Sequence, residues 1–115
     1  MIFIKIFRDA VSGFTHLAGA AAAIAGTVFL VANSGGSAEK LTVHLIFGIS
    51  MVMAFAASTV YHLISKPELL IRVCRIIDHC MIYILIAGTY TPIVFFAFTG
   101  ALRWGYIFGI WLFAF

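Results

Sequence analysis

The sequence predicts an all-α membrane protein, a helical transmembrane bundle, and three observations carry that prediction. Hydrophobic residues make up 64% of the 115-residue chain against 10% charged, and the mean hydropathy is +1.17, beyond the range of soluble domains. Three apolar runs, 14–32, 41–64 and 73–98, each approach or exceed the roughly 20 residues a helix needs to cross about 30 Å of hydrocarbon. The runs are continuous in polarity, whereas the strands of a lipid-facing barrel alternate.

The first run, 14–32, carries Gly19, Ala23 and Gly26, a thin surface that lets neighbouring helices approach closely. Lys5 and Arg8 precede it, which is also how a secretory signal begins. Asp9 and His16 interrupt that pattern, and the later spans anchor the chain in any case. The opening MIFIKIF is expected to lie along the membrane interface as a short amphipathic turn. In the second run, 41–64, Ser58 and His62 stand about 40° apart around a helix and about 6 Å apart along it, so they share a face.

The third run, 73–98, has Asp78, His79 and Cys80 near its start. Adjacent helical residues point about 100° apart, so these three cannot close on one ion, and only Asp78 is expected to face the other polar groups. Its face continues through Ile82, Leu85 and Thr89. Later in this run GTYTP places Pro92 where it removes a backbone bond. A kink or an end to the regular helix is expected there, with threonine hydroxyls covering the freed carbonyls. A fourth run, 103–115, stops short of crossing length. The chain is therefore expected to be a single transmembrane domain over 1–115, incomplete at its C-terminus.

Charge sets the expected orientation. Lys5, Arg8, Lys66, Arg72 and Arg75 fall on one side, and only Lys40 and Arg103 on the other, which puts the N-terminus in the cytoplasm under the positive-inside rule. The net charge of +3 is then a topology signal, with membrane lipids rather than nucleic acid as partners. Cys74 and Cys80 form no spaced framework and are read as reduced thiols.

This topology brings His16, Ser58, His62 and Asp78 to one level, while His44 lies at the opposite side. An ionisable group costs roughly 2.5 to 3.5 kcal/mol at the centre of a membrane helix, and less near its ends. For a lone helix-end histidine such as His44 the plain reading is contact with headgroups. For a serine it is a hydroxyl bonded back to its own helix. The shared depth and face of the four groups argue for a common pocket.

ASTVYH at Ala57–His62, DHCMIYILIAGTYTP at Asp78–Pro92 and RDAVSGFTH at Arg8–His16 resemble the hemolysin III family, bacterial relatives of the progestin and adipoQ receptors. In the last block Asp9 stands where the family has Glu, and Ser12 where it has Asn. The resemblance covers the chain and about the first half of a seven-helix fold, namely three spans and a truncated fourth. It implies a zinc site at the cytoplasmic face of a bacterial plasma membrane. His62 would be one metal ligand, joined by two histidines of a His-x-x-x-His motif that this chain lacks. Ser58 and Asp78 match positions that orient water or handle its proton and are the expected catalytic pair, with His16 and Asp9 as supporting groups.

The activity so implied is zinc-dependent hydrolysis of a lipid amide or ester. Such an ion brings the pKa of bound water to roughly 7. Two other readings stay open: a non-catalytic protein of lipid homeostasis or sensing, with zinc holding helices together, and a cytolytic pore. The pore has little support, because no polar stripe runs the length of any helix.

Overall fold

The structure, a computed structural model, describes residues 7–115. The interfacial turn expected of the opening stretch, Phe7 apart, lies outside the described residues. Four helices follow one another: α1 (Ala10–Ala32), α2 (Ala38–Leu63), α3 (Glu68–Ala97) and α4 (Gly100–Ala114). The first three are long and apolar enough to cross a membrane, whereas α4 has 15 residues. Among the described residues there is no strand.

Each of the three long helices starts earlier than its apolar run, because capping rather than hydropathy sets where a helix begins. The Asp9 carboxylate accepts from the Ser12 N–H at 3.2 Å to open α1. Ser37 does the same for α2 by accepting from the Lys40 N–H at 3.3 Å. Helix α3 begins directly after Pro67, whose φ of −75° suits a helix start. Gly35 and Gly36, at φ of +63° and +74°, turn the chain between α1 and α2 in a backbone region that L side chains avoid.

Each helix packs on the next in sequence, and missing side chains allow close approach at four positions. A Cβ on Gly13 would strike Leu63, and one on Gly19 would lie 2.7 Å from the Phe55 ring. Gly48 faces Thr27, and Gly88 faces Ser50 with the Ile46 carbonyl at 3.3 Å. Gly26, expected on the thin surface of α1, instead has open space around its Cβ position. The contact stripe of α1 passes through Gly13, Gly19 and Ala23. Val43, Val94, Phe95 and Ile107 form a core cluster near the start of α2 and the end of α3, at the opposite end of the bundle from Ser58 and Asp78.

Pro92 does not end α3, which runs on to Ala97. The lost N–H leaves the Gly88 carbonyl without its helical donor, and the threonines do not cover it. Thr89 Oγ1 donates to Leu85 at 2.7 Å and Thr91 Oγ1 to Ala87 at 2.7 Å. Thr91 also accepts from Trp111 Nε1 at 2.9 Å, joining α3 to α4.

The two tight and open glycines give opposite outcomes. Gly88→Ala is expected to destabilise the bundle by about 1–3 kcal/mol through overpacking against Ser50 and the Ile46 carbonyl. Gly26→Ala is expected to be neutral or to stabilise by up to about 1 kcal/mol. Thermal or denaturant unfolding in detergent compares them, and equal losses in both would contradict the packing described.

Candidate functional site

At one end of the bundle the start of α1, the end of α2 and the first half of α3 surround a cleft of about 340 Å³. Its walls carry His16 from α1, Ser58 and His62 from α2, and Asp78, Ile82 and Leu85 from α3. Helical spacing explains the selection. Residues 54, 58 and 62 repeat every fourth position on α2, and residues 78, 82 and 85 do so by four and three on α3. Thr89, expected on the same face of α3, is not part of the lining. His79 is turned away, its Nδ1–H donating to the Arg75 carbonyl at 2.7 Å, and Cys80 is exposed.

The two imidazoles are held in defined states. His62 Nδ1 lies 3.1 Å from Asp9 Oδ2, and an ionised carboxylate can only accept, so Nδ1 carries the proton. His16 Nδ1 lies 2.6 Å from the Ser12 carbonyl, which also only accepts. In the neutral form of either ring Nε2 is then the nitrogen that carries the lone pair. The rings stack, with centroids 5.3 Å apart and planes 16° from parallel. Asp9 is itself held below the usual carboxylate value of 3.8, first by the Ser12 backbone N–H, then by the Ser12 side chain, with His62 contributing and burial opposing. The two positions where this chain departs from the hemolysin III pattern, Asp9 and Ser12, thus bond each other.

Ser58 is distinguished by what it does not bond. Its neighbour Thr59 donates back to the Phe55 carbonyl at 2.7 Å, as Thr27 does to Ala23 and Ser50 to Ile46. The Ser58 hydroxyl, 9% exposed, makes no hydrogen bond to another described residue, and Asp78 has no ion-pair or hydrogen-bond partner among them either. His44 lies at the other end, where its Nδ1 is 3.0 Å from Ser34 Oγ. It has a protein partner there rather than headgroup contact alone.

Sequence reasoning missed Tyr61, Arg8 and Phe55. The Arg8 guanidinium lies 4.4 Å over the Tyr61 ring, donates to the Ile64 carbonyl at 3.2 Å and also to the Tyr61 carbonyl. Phe55 lies in the cleft wall beside Ser58, and its spacing of three and seven from Ser58 and His62 could have flagged it.

Among the described residues, no three His, Cys, Asp or Glu side chains come close enough together to hold a metal ion. The donor set fits one ligand of a zinc site: a histidine oriented by a carboxylate at Nδ1 and free at Nε2, the arrangement usual for metal-bound histidines.

Fold and site together define a helical integral membrane protein with a polar cleft at one end of its spans. The sequence profile described as Haemolysin-III related matches residues 4–115, and the chain belongs to that family. It is 33% identical over 114 residues to Hemolysin-3 of Bacillus cereus, covering 97% of this chain and 51% of that protein. To the Hemolysin-3 homolog of Bacillus subtilis (strain 168) it is 35% identical over 108 residues, covering 92% and 50%. The chain thus spans about half the length of the curated relatives it matches. No solved structure matches it significantly.

Because the folded value of Asp9 is depressed, its contribution to stability is present above 3.8 and is lost as pH falls through the lower folded value. Acidification through that window is expected to lower the melting temperature of the native protein more than that of Asp9→Ala, which already melts lower at neutral pH. Identical acid sensitivity in thermal scans would remove Asp9 from the account.

Proposed function

We propose that this chain supplies the cytoplasmic-face cleft of a metal-dependent membrane hydrolase acting on a lipid amide or ester. The reading rests on one observation above all: Ser58 and Asp78, both without hydrogen-bond partners among the described residues, line the same cleft as a histidine whose Nδ1 is already engaged by Asp9. Groups left unbonded at membrane depth are costly, so a cleft that keeps two of them is better suited to an incoming molecule than to structure alone.

His62 would hold zinc through Nε2 together with two histidines from outside this chain, and Asp9 would keep that ring in the right tautomer and orientation. Zinc, when bound, supplies a Lewis acid and an acidified water near neutral pH. The Asp78 carboxylate accepts a proton during attack and returns it to the leaving group. The Ser58 hydroxyl donates to the developing oxyanion. His16, stacked on His62, closes the α1 side of the cleft and offers a second free Nε2 for proton handling. Among the described residues, Arg8, Lys66, Arg72 and Arg75 at this end against Lys40 and Arg103 at the other support a cytoplasmic placement, in a bacterial plasma membrane by analogy with the Bacillus relatives.

One observation favours a second reading, in which zinc only holds helices together and the protein senses or maintains lipid composition. The His62–Asp9 contact already joins α2 to α1, so a metal on His62 would extend a staple. Direct cytolytic pore formation draws no support from the helices described.

The test uses protein of the relatives' full length, with zinc content, melting temperature and turnover of amide- and ester-linked lipids as readouts. His62→Ala is expected to lose zinc and activity. Asp78→Ala should keep zinc and lose about 10²–10⁴-fold in kcat, and Ser58→Ala about 10²-fold or more. Turnover untouched by Asp78→Ala would sink the hydrolase reading. A lower melting temperature in His62→Ala, with no lipid ever hydrolysed by the native protein, would favour the staple.

A further inference from the structure

Beside the cleft, and separate from it, a second cavity of about 460 Å³ opens where the α2–α3 connection meets the start of α3. Arg8, Lys66, Arg72 and Arg75 line it, with Glu68 the one carboxylate and Ile71 an apolar wall. Four cations against one anion form a concave positive site.

Two members of the cluster have no partner among the described residues. Arg8 is occupied by the Tyr61 and Ile64 carbonyls, and Arg75 Nε donates to the Tyr61 hydroxyl at 3.3 Å. Lys66 and Arg72 are exposed and have no hydrogen-bond or ion-pair partner among the described residues. Glu68, which could have paired with either, forms no ion pair with a described residue; Asp9–His62 and Glu39–Arg103 are the two seen.

Position identifies the occupant. The chain's longest extent is 55 Å, more than the roughly 40–45 Å of a bilayer with its headgroups, so the ends of the bundle reach the headgroup layer. On the membrane side of these cations α3 exposes Val73, Ile76 and Ile77 at 43%, 59% and 43%. A soluble anion has no use for that apolar flank, whereas a lipid lays its chains against it while its phosphate meets the cations.

We propose that Lys66, Arg72, Arg75 and Arg8 form a binding site for the phosphate headgroup of an anionic membrane lipid. Basic pockets between membrane helices are suited to this, with each Lys or Arg near an anionic surface contributing about fivefold in affinity. The site does not depend on the cleft being catalytic.

The experiment reconstitutes the native chain in phosphatidylcholine vesicles containing phosphatidylglycerol, extracts it in mild detergent and measures how much of each lipid it retains. Retention of phosphatidylglycerol above its share of the vesicle is expected. Lys66→Gln and Arg72→Gln should each weaken it about fivefold and the pair about 25-fold, while Lys40→Gln at the opposite end leaves it unchanged. Helicity by circular dichroism checks that the variants fold. If they do not, added salt applied to the native chain replaces them, and retention must fall as salt screens the site. Retention unchanged in the double variant, insensitive to salt, or lowered equally by Lys40→Gln overturns the proposal. Inorganic phosphate that displaces the lipid in full would overturn it too, by assigning the cavity to a soluble anion.

Discussion

The site depends on how the start of α1 is tied to the end of α2. The last carbonyls of any helix have no donor within it, and in a membrane protein they cannot rely on water near the hydrocarbon. Here the chain just ahead of α1 supplies the donors. The Asp9 N–H reaches the His62 carbonyl at 2.8 Å, and Arg8 serves the carbonyls of Tyr61 and Ile64. The same Asp9 caps α1 through its carboxylate and engages His62 Nδ1. One residue therefore ends one helix, begins another and fixes the tautomer of the imidazole in the cleft. Because Asp9 must satisfy these partners together, the ends of α1 and α2 can slide little against each other without breaking several bonds at once.

Away from that tie the spans follow a simple rule. Hydroxyls at membrane depth bond the carbonyl four residues back, as Thr27, Ser50, Thr59, Thr89 and Thr91 all do, so they add little polarity to the lipid-facing or helix-facing surface. Glycines at the crossings let the helices meet closely enough for dispersion to hold them where no hydrophobic force favours helix over lipid. Against this background Ser58 departs from the rule while its neighbour Thr59 obeys it. The difference comes from direction: Thr59 is buried between helices, whereas Ser58 opens onto the cleft.

Much of this was legible in the sequence, for physical reasons that also mark the limits. Continuous hydropathy predicted three crossings, and helical spacing of three and four joined Ser58 to His62 and Asp78 to Ile82 and Leu85, all of which line one cleft. Depth followed from counting residues along helices whose ends were marked by charge. Partner choice did not follow. Which glycine is pressed against a neighbour depends on the crossing angle, so of the expected Gly19 and Gly26 only Gly19 meets a neighbour, while Gly13, not expected there, does as well. The GTYTP hydroxyls could be placed near Pro92 but not assigned to carbonyls, and they serve Leu85 and Ala87. Nor could composition reveal that Asp9 and His62, 53 residues apart, would share a hydrogen bond.

The cleft and the basic cavity are joined through Tyr61. Its ring centroid lies 5.0 Å from that of His62, its face carries the Arg8 guanidinium, and its hydroxyl accepts from Arg75. Two cations of the cavity thus hold the aromatic ring that packs on the imidazole of the cleft. Arg72 and Asp78 are separated by about 9 Å along α3, so one helix contributes residues to both. The linkage also constrains how substitutions can be read. Replacing Arg8 would remove a charge from the cavity, but it would also strip two carbonyls at the end of α2 of their donor and free Tyr61. A loss in such a variant cannot be assigned to charge. Lys66 and Arg72 carry no such second duty among the described residues, and that is why the electrostatics of this end are readable at those two positions.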